Sequence, residues 1–351
     1  MRPQSNPQTC RFSLSELITA VAVTAILAGL ALPAISASRT SARELSCADN
    51  LKQLGLALQT YEKVYKRLPV NGLYFWTRQS KNPHVWQASS HGSQLVKLLP
   101  FLEHNKLYKE LDFTTVGIRP EEPFKGHSRF ETTDIDGTWF RSTVLENLIC
   151  PVAQTDPHLV DNDKAHAPAL ATYAFSIGAQ LMKSRLDMCK SYPGNYFGTG
   201  PVGHGNDARP EKISGVFARG AWAARLRDVS DGAAHVIAMG ETLPRKADFM
   251  QRGWASVGGV WAATVAPINY PIIGWGDPGY SGRNEGKDNP YSCSHFTNWS
   301  TSQGFKSKHK NGAYFVFVDG SVQFLTDTMD YMTYQRLGDR TDGKPIELPK
   351  P

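Results

Sequence analysis

The chain has 351 residues, 41% hydrophobic and 20% charged, with a mean hydropathy of −0.36. This is ordinary globular composition: it excludes a disordered chain and a bundle of membrane helices, and the length allows about two domains. The 38 Lys and Arg against 32 Asp and Glu leave +6, spread along the chain without a long basic run, which argues against nucleic acid as a partner.

The amino terminus carries the first element. Leu17 to Ser38 are 22 uncharged residues (LITAVAVTAILAGLALPAISAS), about 33 Å as a helix at roughly 1.5 Å per residue, enough for a bilayer core. Glu16 stands at the entrance of this run, where a secretory signal normally carries only positive charge. Leu45, Leu51, Leu54, Leu58, Tyr61 and Tyr65 follow at helical spacing with no turn signal between Arg39 and Lys66. The pattern predicts one helix over about 12–66, apolar all round in its first half and striped in its second, with a bend at Pro33 and only slight weakening at Gly55.

Here the residues resemble a known family. The segment from Arg11 to Pro69 is similar to the N-terminus of type IV pilins and of type II secretion pseudopilins. More narrowly, Cys47 to Leu58 (CADNLKQLGLAL) resembles the C-x-N-N-L-K-Q-[IL]-G-L-A-L box of a large bacterial family of prepilin-like proteins of unknown function. The resemblance implies that a prepilin peptidase of the membrane removes a leader at 1–11 and methylates the new amine of Phe12. Glu16 then neutralises the terminal ammonium of a neighbouring subunit. A carboxylate and an ammonium are each costly in hydrocarbon and tolerable as a pair, so the physics of that role favours association of like subunits. The family normally has Gly before the cut, where this chain has Arg11.

After Lys66, short apolar runs separated by Gly, Pro, Asn and Asp read as strands and loops. Leu95 to Leu111 is the helical exception, interrupted by Pro100, and its Leu99 to Glu103 resembles the family's L-P-[YF]-[LI]-E box, placed to pack a sheet against the long helix. Further boxes follow in the family's order: Leu148 to Pro151 (F-x-C-P), Thr172 to Phe175 (N-Y-x), Gly215 to Phe217 (G-V-F), then Val229 to Gly232 and Met239 to Glu241. Residues 176–214 are turn-rich and read as a variable insertion ahead of the other reading, a binding surface. In Tyr314 to Leu325, Asp319-Gly320 between two β-rich runs predicts a two-residue hairpin turn with positive φ at both residues. That register would pair Phe317 with Val322 and Phe315 with Phe324, gathering all four on one face. His309, ten positions before Asp319, completes the family's C-terminal H-x9-D-G signature with Gly320.

Three chemistries come into question for these residues. His309 and Asp319 would be the ligands of a metal, calcium by analogy with some pseudopilins, yet one His and one Asp fall short of an oxygen-rich calcium site, and both have structural roles in a hairpin. Asp231, Glu241 and Asp319 supply carboxylates, but no nucleophile elbow, zinc box or phosphate loop accompanies them, so no enzyme and no cofactor are expected. Trp254, Trp261 and Trp275 lie in a Gly-rich stretch where exposed rings would stack on a glycan or peptide. The five cysteines contain no C-x-x-C pair, and disulfide connectivity among Cys47, Cys150, Cys189 and Cys293 is open.

The expectation is an α+β, pilin-like chain: a leader at 1–11, a helix at 12–66 whose first half spans the cytoplasmic (inner) membrane, and a β-rich antiparallel extracytoplasmic domain at 67–351. Its function would be that of a structural or assembly subunit resembling a pseudopilin. The alternative is a membrane-anchored solute- or glycan-binding module that forms no filament.

Overall fold

A run of Leu, Ala, Val and Ile with no helix-breaking pair gives the chain its longest element, α1, Leu14–Tyr65. In this computed structural model the described residues are 14–72, 74–76, 86–88, 92–111, 113, 132–159, 163–180, 182, 189, 192, 203, 205, 209–278, 280, 292–344 and 346. Within α1 the side chains of residues 16, 20, 28, 30, 31, 33, 34 and 36 lie outside the described ones, as does the predicted bend at Pro33. The chain divides into two compact units, Met1–Leu45 and Ser46–Pro351, and α1 crosses their boundary. The helix stops where Lys66 turns to φ 55°, while its amide still donates to the Glu62 carbonyl.

The second unit holds the remaining elements. In chain order these are β1 (Tyr74–Trp76), β2 (Trp86–Ala88), α2 (Gln94–Leu98), α3 (Asn105–Lys109), β3 (Asp134–Ile135), β4 (Thr138–Trp139), β5 (Tyr173–Ser176), β6 (Ile237–Glu241), β7 (Trp261–Ala262), α4 (Trp299–Ser302), β8 (Gly312–Phe317), β9 (Val322–Thr326) and α5 (Tyr331–Gly338). β1 pairs with β2 and β3 with β4 as small antiparallel ribbons. The central sheet has the order β7-β5-β6-β8-β9, with β5 and β7 parallel and the other pairs antiparallel. The fold class is therefore α+β with a mixed sheet. Short strands and single-turn 3-10 helices make up much of what the sequence predicts as a β-rich antiparallel domain.

Both faces of this sheet are covered. Tyr173, Phe175, Met239, Val316 and Val318 share one core with Leu51, Leu54 and Leu58 of α1 and with Leu95, Val96 and Leu98 of α2. Ala174, Ile237, Ala313, Phe315, Phe317 and Leu325 face a second core that includes Tyr334 and Leu337 of α5. At Leu99-Pro100-Phe101 the helical run is interrupted as expected, Pro100 opening a 3-10 turn, and Phe101 meets Tyr61 edge to face at 5.6 Å.

In the second half of α1 the buried positions are Cys47, Leu51, Leu54, Gly55, Ala57 and Leu58, a period close to 3.6. The predicted stripe is trimmed at its ends, because Leu45 and Tyr65 are exposed. Gly55 has a sharper role than a weakened helix. A methyl group there would stand 2.7 Å from Val316 Cγ2 and 3.2 Å from the Gly320 carbonyl oxygen, so this glycine lets helix and hairpin touch. Lys52 Nζ donates to the Gly320 carbonyl at 3.1 Å and Gln59 Nε2 to that of Val318, fixing the helix against the turn.

The hairpin corrects the predicted register. Val316 pairs with Val322, Phe315 with Gln323, and Tyr314 with Phe324. Phe317 N donates to Ser321 O and Gly320 N to Phe317 O, both at 2.9 Å, and only Gly320 has positive φ, 83°. This is a three-residue loop, a type I turn closed by a glycine bulge, rather than a two-residue turn. Asp319 favours it by accepting from Ser321 N at 2.8 Å and Ser321 Oγ at 2.6 Å. The one-residue difference moves Val322 and Phe324 away from Phe315 and Phe317. Phe324 instead packs edge to face on Tyr314 at 4.9 Å and is 39% exposed.

Two other glycines close the body. Gly178 has φ 89°, and a methyl group on it would lie 2.2 Å from Gly215 N, which itself donates to Ile177 O at 3.0 Å. Strain and overlap act together, so Gly178→Ala should destabilise the fold by about 2–5 kcal/mol, read as a lowered urea midpoint with unchanged slope. A variant within about 0.5 kcal/mol of the parent would show that the loop relaxes freely.

Candidate functional site

Two regions answer to the sequence-derived site residues. The first is the apolar half of α1. Leu14, Leu17, Ile18, Val21, Val23, Ile26, Leu27, Leu32 and Ile35 are 47–73% exposed. Nine large apolar side chains on about six turns are far more than an isolated soluble helix exposes. Arg11 and Phe12, the residues flanking the expected cut, lie outside the described residues, as does the Glu16 side chain. Among the described residues, no helix is long and apolar enough to cross a membrane.

The second region is buried and was not foreseen as one site. Cys47 on α1 is joined by a disulfide to Cys150, which precedes the 3-10 turn Pro151–Ala153. Glu241, the last residue of β6, brings Oε1 to 3.1 Å from His309 Nε2, with both side chains 2% exposed. The same His309 nitrogen lies 3.6 Å from Cys150 Sγ. Glu241 is oriented by Tyr314 N, which donates to Oε2 at 2.8 Å, and the His309 ring is held edge-on against Tyr314 at 5.0 Å. Tyr173 donates its hydroxyl to the Cys47 carbonyl at 3.1 Å. Burial, reinforced by the Glu241 charge, holds that phenol well above its ordinary pKa, so it stays a neutral donor.

Each member comes from a different sequence box: Cys47, Cys150, Tyr173, Glu241 and His309 are spread over more than 260 residues and meet at one point. No spacing along the chain announces this. The available signal was that each box holds one chemically distinctive residue. A second disulfide, Cys189–Cys293, completes the pairing that the sequence left open.

The other candidates separate. His309 and Asp319 are not joint ligands: His309 is paired with Glu241, and Asp319 is an exposed turn residue bonded to Ser321. Asp231 accepts from Asp342 N and Gly343 N, so the three carboxylates named above form no pair. Of the three tryptophans expected to present rings, Trp254 and Trp261 are core residues, 0% and 2% exposed. Trp254 donates Nε1 to Thr143 O at 2.8 Å, and Trp261 lies under the Arg219 guanidinium at 4.3 Å. Trp275 alone of the three is exposed, at 42%, with Tyr280 at 5.6 Å.

A pocket of about 460 Å³ lies beside this tryptophan's loop, lined by Leu243, Lys246, Tyr270, Ile272 and Lys306 among others. Lys306 is buried and donates to the carbonyls of Ser302 at 2.8 Å and Gly304 at 2.7 Å, capping the end of α4. Burial, with Lys246 nearby, pushes its ammonium down to about 7 from an ordinary 10.5. Between these values the unfolded chain holds a proton that the folded chain releases, so the group adds stability as pH rises through that window. Below it, both states are protonated and the burial penalty is complete. Relative to Lys306→Met, the parent should therefore gain roughly 2–3 kcal/mol between about pH 6 and about pH 9 in paired urea titrations, and a pH-independent difference would refute this.

Among comparisons with known proteins, the sequence model of a family described as protein of unknown function (DUF1559) matches residues 36–331. No curated protein matches the chain, and no solved structure matches it.

Proposed function

The chain belongs to the DUF1559 family of proteins of unknown function, and from that premise we propose that it is a structural or assembly subunit resembling a pseudopilin. It is anchored in the cytoplasmic membrane by the first half of α1 and displays its body outside the cytoplasm. The observation that carries this reading is the row of exposed apolar side chains from Leu14 to Ile35, continuous with the uncharged sequence Leu17 to Ser38. Such a surface is stable in lipid or against the same surface of another copy. The order of the sequence boxes supports the same reading, with Phe12 as the first mature residue and Glu16 as the partner of a neighbour's amine.

The deciding experiment is Glu16→Ala in native membranes. Cross-linked ladders of subunits should disappear while the chain remains membrane-bound and its body resists protease, because the substitution removes a pairing charge and leaves the apolar surface intact. Persistence of the ladders would overturn the assembly role. The mass of the mature chain is an independent check: methylated Phe12 is expected, and an intact Met1 would make α1 a static anchor. The alternative, a glycan- or solute-binding module, retains the exposed Trp275 ring with the half-buried Tyr280 beside it, and it predicts ligand binding unaffected by Glu16→Ala.

A further inference from the structure

The cluster at Cys47, Cys150, Glu241 and His309 has an arrangement that a disulfide staple alone does not need. A buried His and Glu are expensive to desolvate, and apolar residues of the same volume would seal a disulfide as well or better. Here both side chains instead turn their heteroatoms toward the sulfurs. One sulfur of each cysteine, a carboxylate oxygen and an imidazole nitrogen all lie within 4.8 Å of one another. We propose that, once the Cys47–Cys150 disulfide is reduced, these four side chains form a tetrahedral site for one zinc-type divalent cation.

Part of the required geometry is already in place. With Zn–S near 2.3 Å and Zn–N or Zn–O near 2.0–2.2 Å, the corners of a tetrahedron stand about 3.3–3.8 Å apart. His309 Nε2 is already 3.6 Å from Cys150 Sγ and 3.1 Å from Glu241 Oε1. The edge that must lengthen is the bonded pair of sulfurs, which separate on reduction. The hydrogen bond from Tyr314 N to the other carboxylate oxygen and the ring packing on His309 supply the outer contacts that orient metal ligands. In the oxidised chain the sulfurs are neutral and bonded to each other, so the site takes no metal. The two states are alternative ties between α1 and the body, one covalent and one coordinate.

The conversion balances with a tertiary phosphine as reductant. Phosphine and water reduce the disulfide to two thiols and leave phosphine oxide; the cation then displaces the two thiol protons to the buffer. The test uses the full chain in detergent carrying Cys10→Ser, Cys189→Ser and Cys293→Ser, with Co²⁺ alone as probe. Reduction is verified by counting two free thiols per chain. The expected result is the visible spectrum of tetrahedral cobalt with a thiolate charge-transfer band, saturating at one ion per chain, and no such spectrum before reduction. His309→Ala and Glu241→Gln should weaken binding at least tenfold, while His309→Cys, which returns a ligand, should restore the tetrahedral spectrum. A fully reduced parent without that spectrum overturns the proposal, and so does undiminished binding by His309→Ala.

Discussion

Replacing Cys47 and Cys150 together by serine should lower the stability of the body by about 4–5 kcal/mol and shift its urea midpoint accordingly. The bond closes a sequence separation of 103, and in the chain-entropy account a loop of that size restrains the unfolded state by nearly 5 kcal/mol. The chain carries its own control. Cys189–Cys293 closes a separation of 104, so its entropic contribution is the same. Any difference between the two serine pairs therefore reports local packing. The Cys47–Cys150 pair should be the costlier to lose, since its removal also leaves two polar hydroxyls against Glu241 and His309 in a site closed to water. Equal losses would mean that the surrounding side chains repack around serine without penalty.

Glu241→Leu should cost about 3–5 kcal/mol on its own, because it strands His309 in a buried site and removes the acceptor for Tyr314 N. Adding His309→Phe should then cost far less than the same change made in the parent. A double-mutant cycle from urea midpoints should give a coupling of about 1–3 kcal/mol between the two positions. Additive losses would show that the two side chains do not act as a pair. Glu241→Gln should fall between parent and Glu241→Leu, since the amide oxygen still accepts from Tyr314 N.

These effects concentrate where the sequence was least readable. The helical period in Leu51, Leu54 and Leu58 was legible because one side of that helix segment faces the core and the other does not. The interruption at Pro100 was legible for an equally local reason, the loss of a donor. The hairpin was placed correctly and its register was not. In β8 and the residue that follows it, every second residue fails as a guide, because Phe315 and Phe317 are buried on one face and Val316 and Val318 on the other. With no polar face, period-two patterning cannot choose between registers that differ by one residue. The three tryptophans illustrate a related limit. A Gly-rich neighbourhood is equally what an exposed loop and a tightly crossed core require, and Trp254 and Trp261 take the second course. The Cys-Cys-Glu-His cluster was hidden for a different reason: its geometry is made by the tertiary fold and leaves no trace in spacing.

The contact between Gly55 and the hairpin also sets a schedule for synthesis. Lys52 and the Gly320 carbonyl that it bonds are 268 residues apart, so at roughly 5–20 residues per second the ribosome delivers one about 15–50 s after the other. Throughout that interval Leu51, Leu54 and Leu58 have left the tunnel without their native cover from Val316 and Val318. The amphipathic helix thus emerges uncovered and gains its cap only after those 268 residues have been added. A long delay of this kind makes the nascent segment a natural client for a holding chaperone or a membrane surface.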